Sequence, residues 1–138
     1  FDEALGMETD NAKKSEMAYA TAAALWQAKK LSQARTYAQK AISFNENYGE
    51  PYILLAQMYG SNPNWSDEPA LNRCTYYVVI DKLQRAKAVD PSVTDKVNEL
   101  IATYARHTPQ AKDLFMLGYK AGDRITIGGW IGESTTIR

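Results

Sequence analysis

The sequence predicts a mainly α-helical fold, an α–α superhelix of stacked helix pairs closed by a C-terminal β-hairpin. Three observations predict it. Apolar and small residues recur at spacings of three and four over most of residues 12–104. Similar two-helix patterns follow one another along the chain. The last stretch, GDRITIGGWIGESTTIR, then shifts to Thr, Ile and Gly, which favour strands and tight turns.

The first helix is expected from Ala12 to about Lys30, with Met17, Tyr19, Ala20, Ala23, Ala24 and Leu25 on broad faces and no Gly or Pro. A second follows through Leu31, Ala34, Ala38, Ala41 and Ile42, whose small inner face suits close packing. Pro51 opens the third, with Tyr52, Leu55, Ala56 and Tyr59 as its stripe. The breaker cluster GSNPNWS separates it from a long helix, Asp67 to Val89. Ser92 and Asp95 read as a capping box for a helix through Tyr104. Thr108 and Pro109 read as the start of a short helix whose Leu114, Phe115 and Leu117 make apolar contacts and which Gly118 stops.

Composition narrows the functional classes. With 16 basic and 16 acidic residues, the chain carries no global field to draw nucleic acid or an anionic membrane. No apolar run is long enough for a membrane span. Cys74 is the only cysteine, which leaves no disulfide framework and no multi-cysteine metal site. The cation-rich stretch Lys29, Lys30, Arg35 and Lys40 reads as a solvated helical face, with an acidic-partner patch as the alternative. Phe1 to Leu5 reads like the end of a helix, so the chain is expected to be an excised piece.

Residues that could carry chemistry are scarce. Cys74 with His107 would need both side chains to meet beside an oxyanion donor, yet Cys74 falls within an expected helix. Asp67 and Glu68 are adjacent and so point about 100° apart on a helix, which suits the dipole at its start better than acid–base work. Asn64-Trp65-Ser66 fits the glycosylation sequon. GGWIG looks like a phosphate loop, but GESTTIR follows it where a helix N-terminus is needed. No catalytic residue, cofactor or metal is assigned, and the expectation is a non-enzymatic binding scaffold.

The helix pairs carry recurring elements: Ala18, Thr21, Ala22, Leu25, then Tyr52, Leu55, Ala56, Tyr59, then Val97, Leu100, Ile101, Tyr104 in first helices, with Ala34, Ala38, Ala41 and Val79, Leu83, Ala86 in second ones. At EPYILLAQMY and LQRAKAVDP the chain resembles the tetratricopeptide repeat (TPR) family, built from a helix–turn–helix of about 34 residues. On that register one repeat runs Ser15–Tyr48, and a second Gly49–Val93 with an insertion at about 60–70. A lone first helix, Thr94–Arg106, follows. Ala18 stands where a large aromatic is usual, and Glu46 where Pro is usual. The resemblance divides the chain into helical repeats over 1–107 and a short helix plus hairpin over 108–138.

The resemblance implies a concave groove lined by first helices, at Tyr19, Ala23 and Trp26, then Ile53, Gln57 and Gly60, then Asn98, Ala102 and Ala105. No cation stands at these places, so a carboxylate clamp is not implied. Tyr19, Trp26, Ile53, Gln57 and Asn98 are the candidate contacts for a protein or peptide partner. The same side chains would serve equally as packing against a neighbouring repeat. In the tail, Gly132-Glu133 fits a two-residue hairpin loop. It would place Ile131 opposite Ser134, Trp130 opposite Thr135 and Gly128 opposite Ile137. Trp130 and Ile137 would share one face, with Ile125, Ile127 and Ile131 on the other. Such a hairpin needs to dock, on the helices or on another protein. Trp130 is therefore the sixth candidate contact, and self-association or docking within a larger protein is the alternative function. The ending also resembles the C-terminal segment of certain mostly uncharacterised bacterial TPR proteins, which implies association with the cell envelope.

Overall fold

The structure, a computed structural model, describes residues 10–138. The helix end expected at Phe1 to Leu5 lies outside them. The protein is mainly helical, with a small antiparallel sheet of two strands near its C-terminus. The helices are α1 (Asn11–Gln27), α2 (Leu31–Phe44), α3 (Glu50–Ser61), α4 (Pro69–Arg73) and α5 (Thr75–Val89). A 3₁₀ turn (Pro91–Val93) leads into α6 (Thr94–Ala105), and α7 (Ala111–Met116) precedes the strands β1 (Arg124–Thr126) and β2 (Ser134–Thr136).

Helix α1 starts where the Asp10 carboxylate accepts from the amides of Ala12 and Lys13, satisfying two donors that the helix leaves free. It stops at Lys29, whose φ of 61° is a left-handed conformation more often given to glycine. Helix α1 packs chiefly on α2, and α3 chiefly on α5. Buried Ala18, Ala22, Ala34, Ala38 and Ala41 let α1 and α2 approach closely. The Ser15 hydroxyl donates to the Ala41 carbonyl between them at 2.6 Å.

Helix α3 is the centre of the molecule. Pro51 to Ala56, Met58 and Tyr59 are all buried, so it is covered nearly all round. Leu83, Val79 and Ala86 of α5 and Val97 of α6 complete this core. The start of α3 is fixed by Asp90, whose carboxylate accepts from the Gly49 amide at 2.9 Å and from the amide and hydroxyl of Ser92. Those bonds hold the Asp90 carboxyl below its ordinary range, the Ser92 hydrogen bond first and the Gly49 amide next. The cap before α6 is thus Asp90 on the 3₁₀ turn, not a Ser92/Asp95 box, because Asp90 ties two elements together at once.

The long helix expected over Asp67–Val89 is two helices that meet at Cys74. The Cys74 backbone stays right-handed (φ −63°, ψ −22°), but the ladder tightens there. The Cys74 amide donates to Leu71, and the Tyr77 amide to Cys74, each three residues back. The Thr75 hydroxyl donates to the Pro63 carbonyl at 2.8 Å and holds the junction to the preceding loop. That loop is itself ordered by Asn72. Its side-chain oxygen accepts from the amides of Trp65 and Ser66, and its amide group donates to the Ser66 carbonyl.

The hairpin register differs from the expected one. Arg124 pairs with Thr136, Ile125 with Thr135 and Thr126 with Ser134. The ladder continues outward as the Ile127 amide donates to Glu133, leaving Gly128–Gly132 as the loop. Gly129 (φ 69°) and Gly132 (φ 58°) supply its left-handed positions. Gly128 does not make room for Ile137. A Cβ there would stand 3.0 Å from the Trp65 ring, so this glycine lets the loop lie on the insertion. The faces change accordingly: Ile125, Ile127, Ile131 and Ile137 are all buried against the helices, while Thr126 and Ser134 share a hydrogen bond outside. The hairpin therefore docks on this chain's own helices and forms part of its core.

In α7 only Leu114 is buried. Phe115 is 75% exposed and Leu117 37%, so neither makes the inward contact expected of it. Thr108 is not the cap of α7; its hydroxyl donates back to the Ala105 carbonyl.

Candidate functional site

The residues proposed from the sequence fall in different environments. Tyr19 is half-buried on α1, and its ring meets that of Tyr48 edge-on, with centroids 5.6 Å apart. Glu50, at the start of α3, pairs with Lys96 of α6 at 3.0 Å. Both ions lie near Tyr19. One surface thus receives side chains from α1, α3 and α6. Burial raises the Tyr19 phenol pKa, and Glu50 adds to the shift. Tyr48 is pushed up to about 12, first by burial, then by Tyr19, Glu50, Glu16 and Asp90. Both phenols therefore stay protonated at neutral pH and offer an O–H donor beside an aromatic face.

Farther along, Trp26 is half-buried and lines a cleft of about 370 Å³ with Leu31, Ser61 and Asn62. Gln57 is half-buried on α3. Asn98 is exposed, and its side-chain oxygen accepts from Lys87 at 3.0 Å at the seam of α5 and α6. Ile53 does not fit the expected surface role, since it is 1% exposed within the core around α3. Gly60 is partly exposed but has no room for a side chain, because a Cβ there would lie 2.6 Å from the Tyr104 ring. The surface that remains is carried by Tyr19, Trp26 and Gln57, with Tyr48, Glu50 and Lys96 added and Asn98 at its margin.

Trp130 is engaged within the chain. Its ring meets Tyr59 edge-on at 5.3 Å. Tyr59 is fully buried and joins a cluster that sequence reading did not find. The Arg35 side chain of α2 donates to the Tyr59 hydroxyl at 2.8 Å, and that hydroxyl donates to Glu133 at 2.5 Å. Glu133 also pairs with Lys82 of α5 at 2.7 Å and with Arg35 at 3.6 Å. Burial raises the Tyr59 phenol well above its usual value and the Glu133 charge raises it further, while Arg35 opposes both. The phenol therefore remains a donor to Glu133. A second anchor lies beside it. Asp81 of α5 accepts from the Thr135 hydroxyl at 2.7 Å and pairs with Arg138, whose guanidinium covers the Tyr77 ring. A lone carboxylate in an uncharged stretch, Glu133 in GGWIGESTT, was the one sequence sign of this junction.

The Cys74 thiol is fully buried and rests against the Ala70 carbonyl. Burial pushes its pKa up to about 11, the reverse of what a nucleophile needs. His107 is exposed and lies against the Tyr76 ring at 5.1 Å. Among the described residues no group of three or more His, Cys, Asp or Glu is placed to hold a metal ion, and no helix is long and apolar enough to cross a membrane.

Comparison with protein-family models, curated proteins and solved structures gave no match to this chain.

Proposed function

We propose that the protein is a non-enzymatic interaction scaffold of TPR-like helix pairs that binds a segment of another protein. The binding face is the one to which α1, α3 and α6 contribute, the first helices on the repeat register. The observation that carries this reading is the convergence of Tyr19, Tyr48 and the Glu50–Lys96 pair on one surface. Two half-exposed aromatic rings with protonated hydroxyls supply apolar area and donors at low conformational cost, a combination enriched at protein interfaces. Trp26, in its own cleft, extends the same recognition chemistry toward the end of α3. A partner segment would lie across the helices, placing apolar side chains on Tyr19 and in the Trp26 cleft.

The test is capture from an extract of the source organism with immobilised wild type and with the variant carrying Tyr19→Ala and Trp26→Ala. Because aromatic anchors carry a large share of interface energy, retention of the specific partner should fall by roughly tenfold or more. Equal retention by both proteins, with the variant's helical content unchanged, would sink the groove assignment.

A further inference from the structure

Away from this face, α7 and the turn after it form a second surface with a different chemistry. Phe115 is 75% exposed and Met116 84%, two large adjacent apolar side chains given to solvent. They are held there. The Tyr119 amide donates to Leu114 and the Gly118 amide to Phe115, a closed helix end in which Gly118 takes φ 91°. Between α7 and the end of the hairpin lies a groove of about 470 Å³. Buried Leu114 and Ile137 form its floor, and Phe115, Met116 and Tyr119 its walls. Its rim is basic: Lys112, Lys120 and Arg138. Arg138 is paired with Asp81, and the Lys120 backbone amide donates to the Asp123 carboxylate at 3.0 Å, whereas the side-chain ammonium groups of Lys112 and Lys120 form no ion pair among the described residues.

The chemistry selects the occupant. A contiguous apolar concavity asks for an inserted apolar side chain, and unpaired ammonium groups at its edge ask for carboxylates. A second copy related by a two-fold axis would bring like-charged rims together, which disfavours self-association through this groove. Nucleic acid would match the rim but not the apolar floor. We infer that the α7 groove docks an acidic amphipathic segment of another protein, which places a Leu- or Phe-sized side chain between Phe115 and Tyr119 and carboxylates on Lys112 and Lys120. This site is separate from the Tyr19 face and does not depend on it.

The test uses the full chain, isotope-labelled for amide spectra, titrated with the probe peptide Asp-Glu-Leu-Phe-Asp-Glu-Leu-Leu. A second probe has every acid replaced by Lys. Saturable shifts confined to Lys112, Phe115, Tyr119 and Ile137 are expected with the acidic probe and not with the basic one. Phe115→Ser, an exposed position that the fold does not need, should weaken binding roughly tenfold. Lys112→Glu with Lys120→Glu should reverse the preference between probes, and Tyr19→Ala with Trp26→Ala should leave the titration unchanged. Absent shifts, or equal response to both probes, would overturn the proposal. So would a peptide-silent groove that binds anionic phosphatidylglycerol vesicles, which makes the surface a membrane contact. Sedimentation showing a dimer that Phe115→Ser dissolves would assign the groove to a second copy and overturn it equally.

Discussion

Truncation after Gly122 is expected to abolish cooperative folding of the helices. The segment it removes contributes Ile125, Ile127, Ile131 and Ile137, each 6% exposed or less. Burying one such side chain is worth about 1.5–3 kcal/mol, so the four together supply roughly 6–12 kcal/mol as an upper figure. Whole domains are stable by about 5–15 kcal/mol, so this loss takes most of the margin. The cut also leaves Tyr59 without Glu133 and Trp130, and Asp81 without Thr135 and Arg138. The truncated chain should lose its sharp urea transition and its near-ultraviolet dichroism, retaining at most fluctuating helix. A milder version of the same experiment is Ile127→Ala, which should cost about 2–5 kcal/mol for a residue with no exposed area. A truncated chain that unfolds with the wild-type midpoint would show that the hairpin is an appendage.

Glu133→Ala is expected to be the most costly single polar substitution at the hairpin junction, about 2–3 kcal/mol. The side chains of Glu133, Arg35 and Lys82 are only 21–24% exposed, so removing the carboxylate leaves a guanidinium, an ammonium and a buried phenol short of partners. Glu133→Gln keeps the shape and one acceptor and should cost less. The pattern distinguishes a network from a set of separate bonds. Tyr59→Phe alone removes one hydroxyl, and combined with Glu133→Ala it should cost clearly less than the sum of the two. Because the cluster is largely covered, raising salt should soften the effect only in part. Urea midpoints for the four proteins give the coupling directly, and strict additivity would mean that Tyr59 and Glu133 do not act together.

The fold was legible wherever one helix face carried its own pattern. The alanines of α1 and α2, and the stripe of Tyr52, Leu55, Ala56 and Tyr59, give period and partner in the same residues. What escaped depends on distant contacts. Nothing local to PALNRCTYYVV marks the break at Cys74; Thr75 reaches Pro63 across the loop. Gly132-Glu133 satisfies the rule for a tight hairpin loop, yet Glu133 is drawn onto Arg35, Lys82 and Tyr59, and Gly128 is pressed by Trp65. The hairpin therefore pairs Thr126 with Ser134 and opens a longer loop. Of the candidate contacts, Tyr19, Trp26, Gln57 and Asn98 retain solvent exposure. Ile53 lies inward because α3 is surrounded, and Trp130 keeps partial exposure while its ring packs on Tyr59. The α7 surface departs from expectation for a related reason: an apolar run in a short helix looks like core, and only the path of the chain decides which side it faces.

The claim that the α1–α3–α6 face receives a partner segment is tested most directly by site-specific photo-crosslinking. A photoreactive phenylalanine is placed in turn at Tyr19 and Gln57, and at two exposed positions of the second helices, Gln39 and Arg85. The account predicts that positions 19 and 57 become linked to one and the same partner segment in an extract of the source organism, and that positions 39 and 85 do not. Equal labelling from all four positions, or a partner captured only from 39 and 85, would contradict it.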